Sequence, residues 1–80
     1  MGTKEAVVQR INQLCIGKGL SLNALANLAG VSPSTVYSLM DSRRKDVSIL
    51  TIKKLCDGLD ITITEFFDDD IFRNLEQEIF

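Results

Sequence analysis

The 80-residue chain is 45% apolar and 25% charged, a composition that fits one small globular domain and excludes a disordered segment. It has no histidine, which removes the commonest general base and most zinc, copper and iron sites, and no apolar run near the ~18 residues of a membrane span. The net charge of −2 conceals a split: residues 1–56 set eight basic side chains against three acidic ones, +5, while residues 57–80 set Arg73 against eight acids, −7.

Spacing predicts helices throughout. Thr3 is placed to cap a first helix carrying Val7, Val8, Ile11, Leu14 and Cys15 at helical intervals and ended by Gly17 and Gly19. Ser21 caps a second, whose inner stripe is Leu22, Leu25, Ala26 and Ala29, and Gly30 stops it with a left-handed turn. Ser32-Pro33 is a strong start signal for a third, with Val36, Leu39 and Met40 on its buried side. The charged run Asp41–Asp46 reads as a loop. Ser48 opens a fourth helix (Ile49, Ile52, Leu55, Cys56, Leu59), and Thr62-Ile63-Thr64-Glu65 is a capping box for a short fifth with Phe66 and Phe67. Strand signals are missing; Ile61-Thr62-Ile63 alternates but is too short.

The last segment carries Ile71, Phe72, Leu75 and Ile79, with Phe80 beside them, on an acidic background. That pattern predicts a short amphipathic acidic helix, which either packs back on the bundle or pairs with its twin in a homodimer. The Asp68–Asp70 run at its start lacks the glycine and alternating ligands of a calcium loop and reads as N-terminal capping. Cys15 and Cys56 fall on apolar stripes without metal-ligand neighbours, so core filling is expected for both. No cofactor and no metal are expected, nor an enzyme. The N-terminus lacks a basic-then-apolar signal pattern, which implies a cytoplasmic location.

The stretch Ser21–Met40, SLNALANLAGVSPSTVYSLM, is a helix, a glycine turn and a second helix. Ala26 must be small where the helices cross, and Val31 and Val36 wedge between them. The second helix is thereby supported from behind and free on its outer face, a shape suited to the major groove of DNA.

These residues resemble the Cro/phage-repressor class of helix-turn-helix domains, the XRE family. The resemblance rests on Arg10-Ile11, Leu14, Gly19-Leu20-Ser21, Leu25-Ala26, Ala29-Gly30-Val31-Ser32, Thr35-Val36 and Leu39. A second block follows in Ser48-Ile49, Thr51-Ile52, Lys54-Leu55-Cys56, Leu59, Ile61-Thr62 and Glu65-Phe66-Phe67. It spans residues 4–67 and implies an all-α, lambda-repressor-like domain over 1–67, followed by a C-terminal extension over 68–80. The function it implies is a bacterial or phage-encoded transcriptional regulator, a small stand-alone repressor of double-stranded DNA. The docking geometry is that of phage repressors as a class, with the third helix (32–40) in the major groove.

Transferred to this chain, the DNA-binding residues are Ser32, Pro33, Ser34, Thr35 and Ser38 on the third helix, Arg43, Arg44 and Lys45 after it, and Ser48. Tyr37 is either core edge or a phosphate-binding hydroxyl. The family's frequent glutamine at the start of the second helix is Leu22 here, so the long amide readers are missing and modest specificity is expected. Relatives also pair a first-helix arginine with a glutamate ending the third; Cys15 and Met40 stand there instead, an apolar pair in place of ions. Pro33 and the acidic net charge leave an alternative, a protein-interaction module of antitoxin or anti-repressor type.

Overall fold

The computed structural model describes residues 1–79, and all of its regular structure there is helical. The elements are α1 (Thr3–Lys18), α2 (Leu22–Ala29), α3 (Pro33–Met40), α4 (Ile49–Leu59) and α5 (Ile63–Phe67), with a 3-10 turn at Asp70–Phe72. Among the described residues no helix is long and apolar enough to cross a membrane.

Most boundaries follow from cap chemistry. Ser21 accepts from the Ala24 N–H, Ser32 from Thr35 and Ser48 from Leu50, while Thr62 and Glu65 close a reciprocal capping box. Gly30 ends α2 at φ 69°, where an L side chain would be strained. Asp60 ends α4 in the same left-handed region without being glycine.

Two expectations fail at the chain ends. Thr3 is the first helical residue rather than the cap, and Gly2 in the cap position has no side chain to offer. The missing acceptor comes from the far end of the chain: Glu78 takes hydrogen bonds from the Thr3 N–H (3.3 Å) and hydroxyl (3.1 Å). At its other end α1 runs through Gly17 to Lys18, and Gly19 turns left-handed to end it. The second failure is the acidic C-terminal helix. After the 3-10 turn the chain is irregular to residue 79. A ten-residue helix is marginal in water, and here its residues find other partners. Phe72 stacks edge-on to Phe67 (4.9 Å) beside Phe66, Arg73 pairs with Asp68 and Asp70, and Glu76 and Glu78 turn back to the start of α1.

The core is one apolar cluster: Val7, Ile11 and Cys15 of α1, Leu25 and Ala26 of α2, Val36 and Leu39 of α3, Ile52, Leu55, Cys56 and Leu59 of α4, and Phe66 of α5. Among the described residues no charged side chain is buried in it. Cys15 is inside, its thiol pushed up in pKa by burial, and Met40 packs partly buried against the same cluster. Gly58 sits where α4 crosses α2. A Cβ there would meet Ala29 N at 2.8 Å and Leu28 C at 2.9 Å, so the crossing admits only glycine.

Arg10 ties the bundle to its end. Its guanidinium donates to the carbonyls of Phe66 (2.7 Å) and Glu65 (2.9 Å), the last turn of α5, and pairs with Asp69 at 3.3 Å.

Candidate nucleic-acid interface

Helices α2 and α3 are joined by Gly30-Val31-Ser32, and their inner faces are sealed by Leu25, Ala26, Val36 and Leu39. Everything polar on α3 is thereby turned outward. Pro33, Ser34, Thr35 and Tyr37 are exposed and Ser38 is half-buried. At the start of α3 the Ser32 hydroxyl lies 3.0 Å from that of Ser34 and 2.9 Å from that of Thr35, a hydroxyl cluster in solvent.

Helical spacing divides this surface into two flanks. Pro33, Ser34 and Tyr37 lie at i, i+1 and i+4 on one side. Tyr37 is 52% exposed, and its hydroxyl donates to Asn23 Oδ1 on α2 at 3.0 Å. Tyr37 thus lies outside the core and bridges the two helices. On the other flank, Thr35 and Ser38 face the start of α4 across a cleft of about 160 Å³, also lined by Arg44, Asp46, Ser48 and Thr51. Four of the sequence-predicted residues (Thr35, Ser38, Arg44, Ser48) therefore meet around one depression.

The loop 41–46 is held by short polar contacts. Lys4 Nζ reaches across from α1 to donate to the carbonyls of Asp41 (3.0 Å) and Arg44 (2.6 Å). Arg43 folds back so that Nε meets one Asp41 carboxylate oxygen at 3.1 Å and Nη2 the other at 3.0 Å. The Arg43 hydrogen bonds hold the Asp41 carboxyl below its ordinary range, and the same contact raises the Arg43 guanidinium. Lys45 points elsewhere. It lines a separate groove of about 1080 Å³ with Met40, Val47, the start of α1 and the carboxylates Glu76 and Glu78.

Asn23, Lys4 and Thr51 are not among the site residues that the sequence predicts. Thr51 lies one turn beyond Ser48 and could have been found from that spacing. Lys4 acts across 37 residues and Asn23 across 14, and nothing local marks either.

A model of the Cro/C1-type helix-turn-helix DNA-binding domain matches residues 10–70. The chain belongs to that family. A crystal structure of prophage Lp1 protein 11 is similar, at 34% sequence identity and a TM-score of 0.81, and the match covers 94% of this chain and 100% of the other. No match exists among curated proteins. As a Cro/C1-type domain the chain is a DNA-binding regulator, and α2 and α3 are its helix-turn-helix.

Proposed function

We propose that this Cro/C1-type domain is a small transcriptional repressor that inserts α3 into the major groove of operator DNA. Base contact is assigned to Pro33, Ser34, Thr35 and Ser38, with Ser32 and Tyr37 at the edges. Phosphate contact is assigned to Arg44 and Ser48, and to Arg43 and Lys45 when DNA draws them from the acidic side chains nearby. The observation that carries this reading is the cleft in which Thr35 and Ser38 of α3 face Arg44 and Ser48. Hydroxyls that can pair with several bases thus stand beside a cation and a helix start suited to phosphate. The similar prophage protein favours a phage-derived regulator working in a bacterial cytoplasm. No catalytic role is proposed for a chain without histidine.

Reading paired half-sites calls for a homodimer with its third helices about 34–36 Å apart. Of the expected dimer residues, Phe72 is engaged within its own aromatic cluster, and Ile71 and Leu75 are half-buried. Ile79 is 85% exposed and remains open to a partner; Phe80 lies outside the described residues. Arg43 locked on Asp41 favours a second reading, a protein-interaction module with weak DNA binding.

Binding to mixed-sequence duplexes across a salt series, followed by sequence selection, tests the choice. A repressor yields a selected site and a log–log salt slope of about −0.9 for each neutralised phosphate. Absence of binding to any duplex at low salt would leave the interaction module.

A further inference from the structure

We propose that Tyr37 and Asn23 form a positioning pair, in which the phenol of α3 fixes the Asn23 amide so that its N–H groups meet a DNA phosphate on the α2 side of the recognition helix. The proposal rests on the DNA-binding reading above and deepens it.

The argument begins with what the hydrogen bond uses up. An asparagine side chain offers one carbonyl acceptor and two N–H donors. Tyr37 Oη donates to Asn23 Oδ1 at 3.0 Å, and both residues are exposed. Water could serve either group equally well, so the bond adds little to folding and its effect is orientation. Because the amide is planar, a carbonyl held toward Tyr37 directs the two N–H donors away from it. Asparagine reads adenine through both ends of the amide, the carbonyl accepting from N6 and the amine donating to N7. Held on Tyr37, the Asn23 amide is not free to turn both of its ends to one base edge. Outward-facing N–H donors complement phosphate oxygens, which only accept.

Position and charge agree. Asn23 belongs to the first helix of the pair, the one that crosses the DNA backbone when the second enters the groove. From Gly19 to Met40 the chain has no lysine or arginine, so the phosphate donors that the helix pair itself offers on this flank are neutral. The opposite flank already has Arg44 and Ser48 around its cleft. With Asn23 in place, α3 is gripped on both sides.

The test uses the full chain, with fluorescence anisotropy on a selected operator and on a mixed-sequence duplex. Tyr37→Phe keeps the ring and removes the hydroxyl; Asn23→Ala removes the amide. Each is expected to weaken binding about two- to tenfold on both duplexes, as for one lost hydrogen bond. The salt slope stays unchanged, because a neutral donor releases no counterion. The double variant is expected to bind like the singles, since one contact is lost either way. A neutral methylphosphonate at the contacted phosphate is expected to erase the difference between wild type and Asn23→Ala. Tyr37→Phe binding like wild type, or effects that add in the double variant, would overturn the pair while leaving the DNA reading intact. A changed base preference in Asn23→Ala would overturn the phosphate assignment. Wild-type protein that binds no duplex would instead overturn the DNA reading itself.

Discussion

The helix-turn-helix and the loop that follows it have opposite chemistry. From Gly19 to Met40 there is no charged residue, whereas five of the six residues in Asp41–Asp46 are charged. The pair is held by apolar burial against α4, and its outer surface offers hydroxyls, the amides of Asn23 and Asn27, a proline ring and Leu28, but no charge. The loop buries nothing and is held by carbonyls on Lys4 and a carboxylate on Arg43. Since counterion release makes charge govern affinity and its salt dependence, while short-range groups choose the sequence, the two tasks are separable in this protein. Substitutions in one region should leave the other's readout alone.

The strongest way to break that separation is to remove the support they share. Gly58→Ala forces a methyl group into the α2 backbone, which has no flexible atom to yield. Overpacking of this kind costs about 2–3 kcal/mol. The unfolding midpoint in urea should fall accordingly, and binding should fail only as folding does. A fully stable Gly58→Ala that no longer binds would show that α4 sets the angle of the pair without holding the fold. Arg44→Ala comes next. Affinity should drop roughly tenfold on every sequence and the salt slope should flatten by about 0.9, with no change in melting temperature. If Arg44→Ala altered the preferred sequence, charge and selection would not be separable.

Asp41→Asn probes the loop from the opposite direction. It releases Arg43, which is 88% exposed and otherwise tied to the carboxylate. Binding should tighten a few-fold at low salt, with a steeper slope, and the gain should vanish in the Asp41→Asn, Arg43→Ala double variant. Ser34→Ala belongs to the neutral region. It should shift base preference by a few-fold at one position per half-site and leave the slope untouched.

How far the sequence foretold this division depends on the range of each interaction. The caps at Ser21, Ser32, Ser48 and Thr62 were legible because the capping atom and its partner lie within three residues. So was the buried stripe of each helix, which needs only the 3.6-residue period. The tail's apolar residues have helical spacing, yet Phe72 packs on Phe66 and Phe67, and Glu78 takes hydrogen bonds from the open end of α1. Those partners lie across the fold. At the site, residue type identified Arg43 and Arg44 together, but only coordinates separate them: one is returned to Asp41, the other lines the cleft. Gly58 resembled an ordinary helix residue, and its reason is a backbone on another element.

The smallest predicted effect compares two carboxylates, one beside the interface and one remote from it. Asp41 is depressed by the Arg43 hydrogen bonds, and Glu65 by the Thr62 backbone N–H it accepts from in the capping box. In both, the folded value lies below the ordinary one, 3.8 for aspartate and 4.5 for glutamate. Each therefore contributes stability that is present above the ordinary value and is lost as pH falls through the folded one. Melting temperature should decline between about pH 5 and pH 3. Glu65→Gln keeps an oxygen for the Thr62 N–H but cannot titrate, so its curve should be flatter at the glutamate end of that window. Asp41→Asn should flatten the more acidic part. The two substitutions should add, because one carboxylate caps α5 and the other holds the loop, with no shared partner. DNA binding distinguishes them at neutral pH: Glu65→Gln should match wild type, while Asp41→Asn binds more tightly. Parallel acid-melting curves for all three proteins would mean that neither hydrogen bond outlasts solvation in the folded state, and the loop would then hold Arg43 no more firmly than water does.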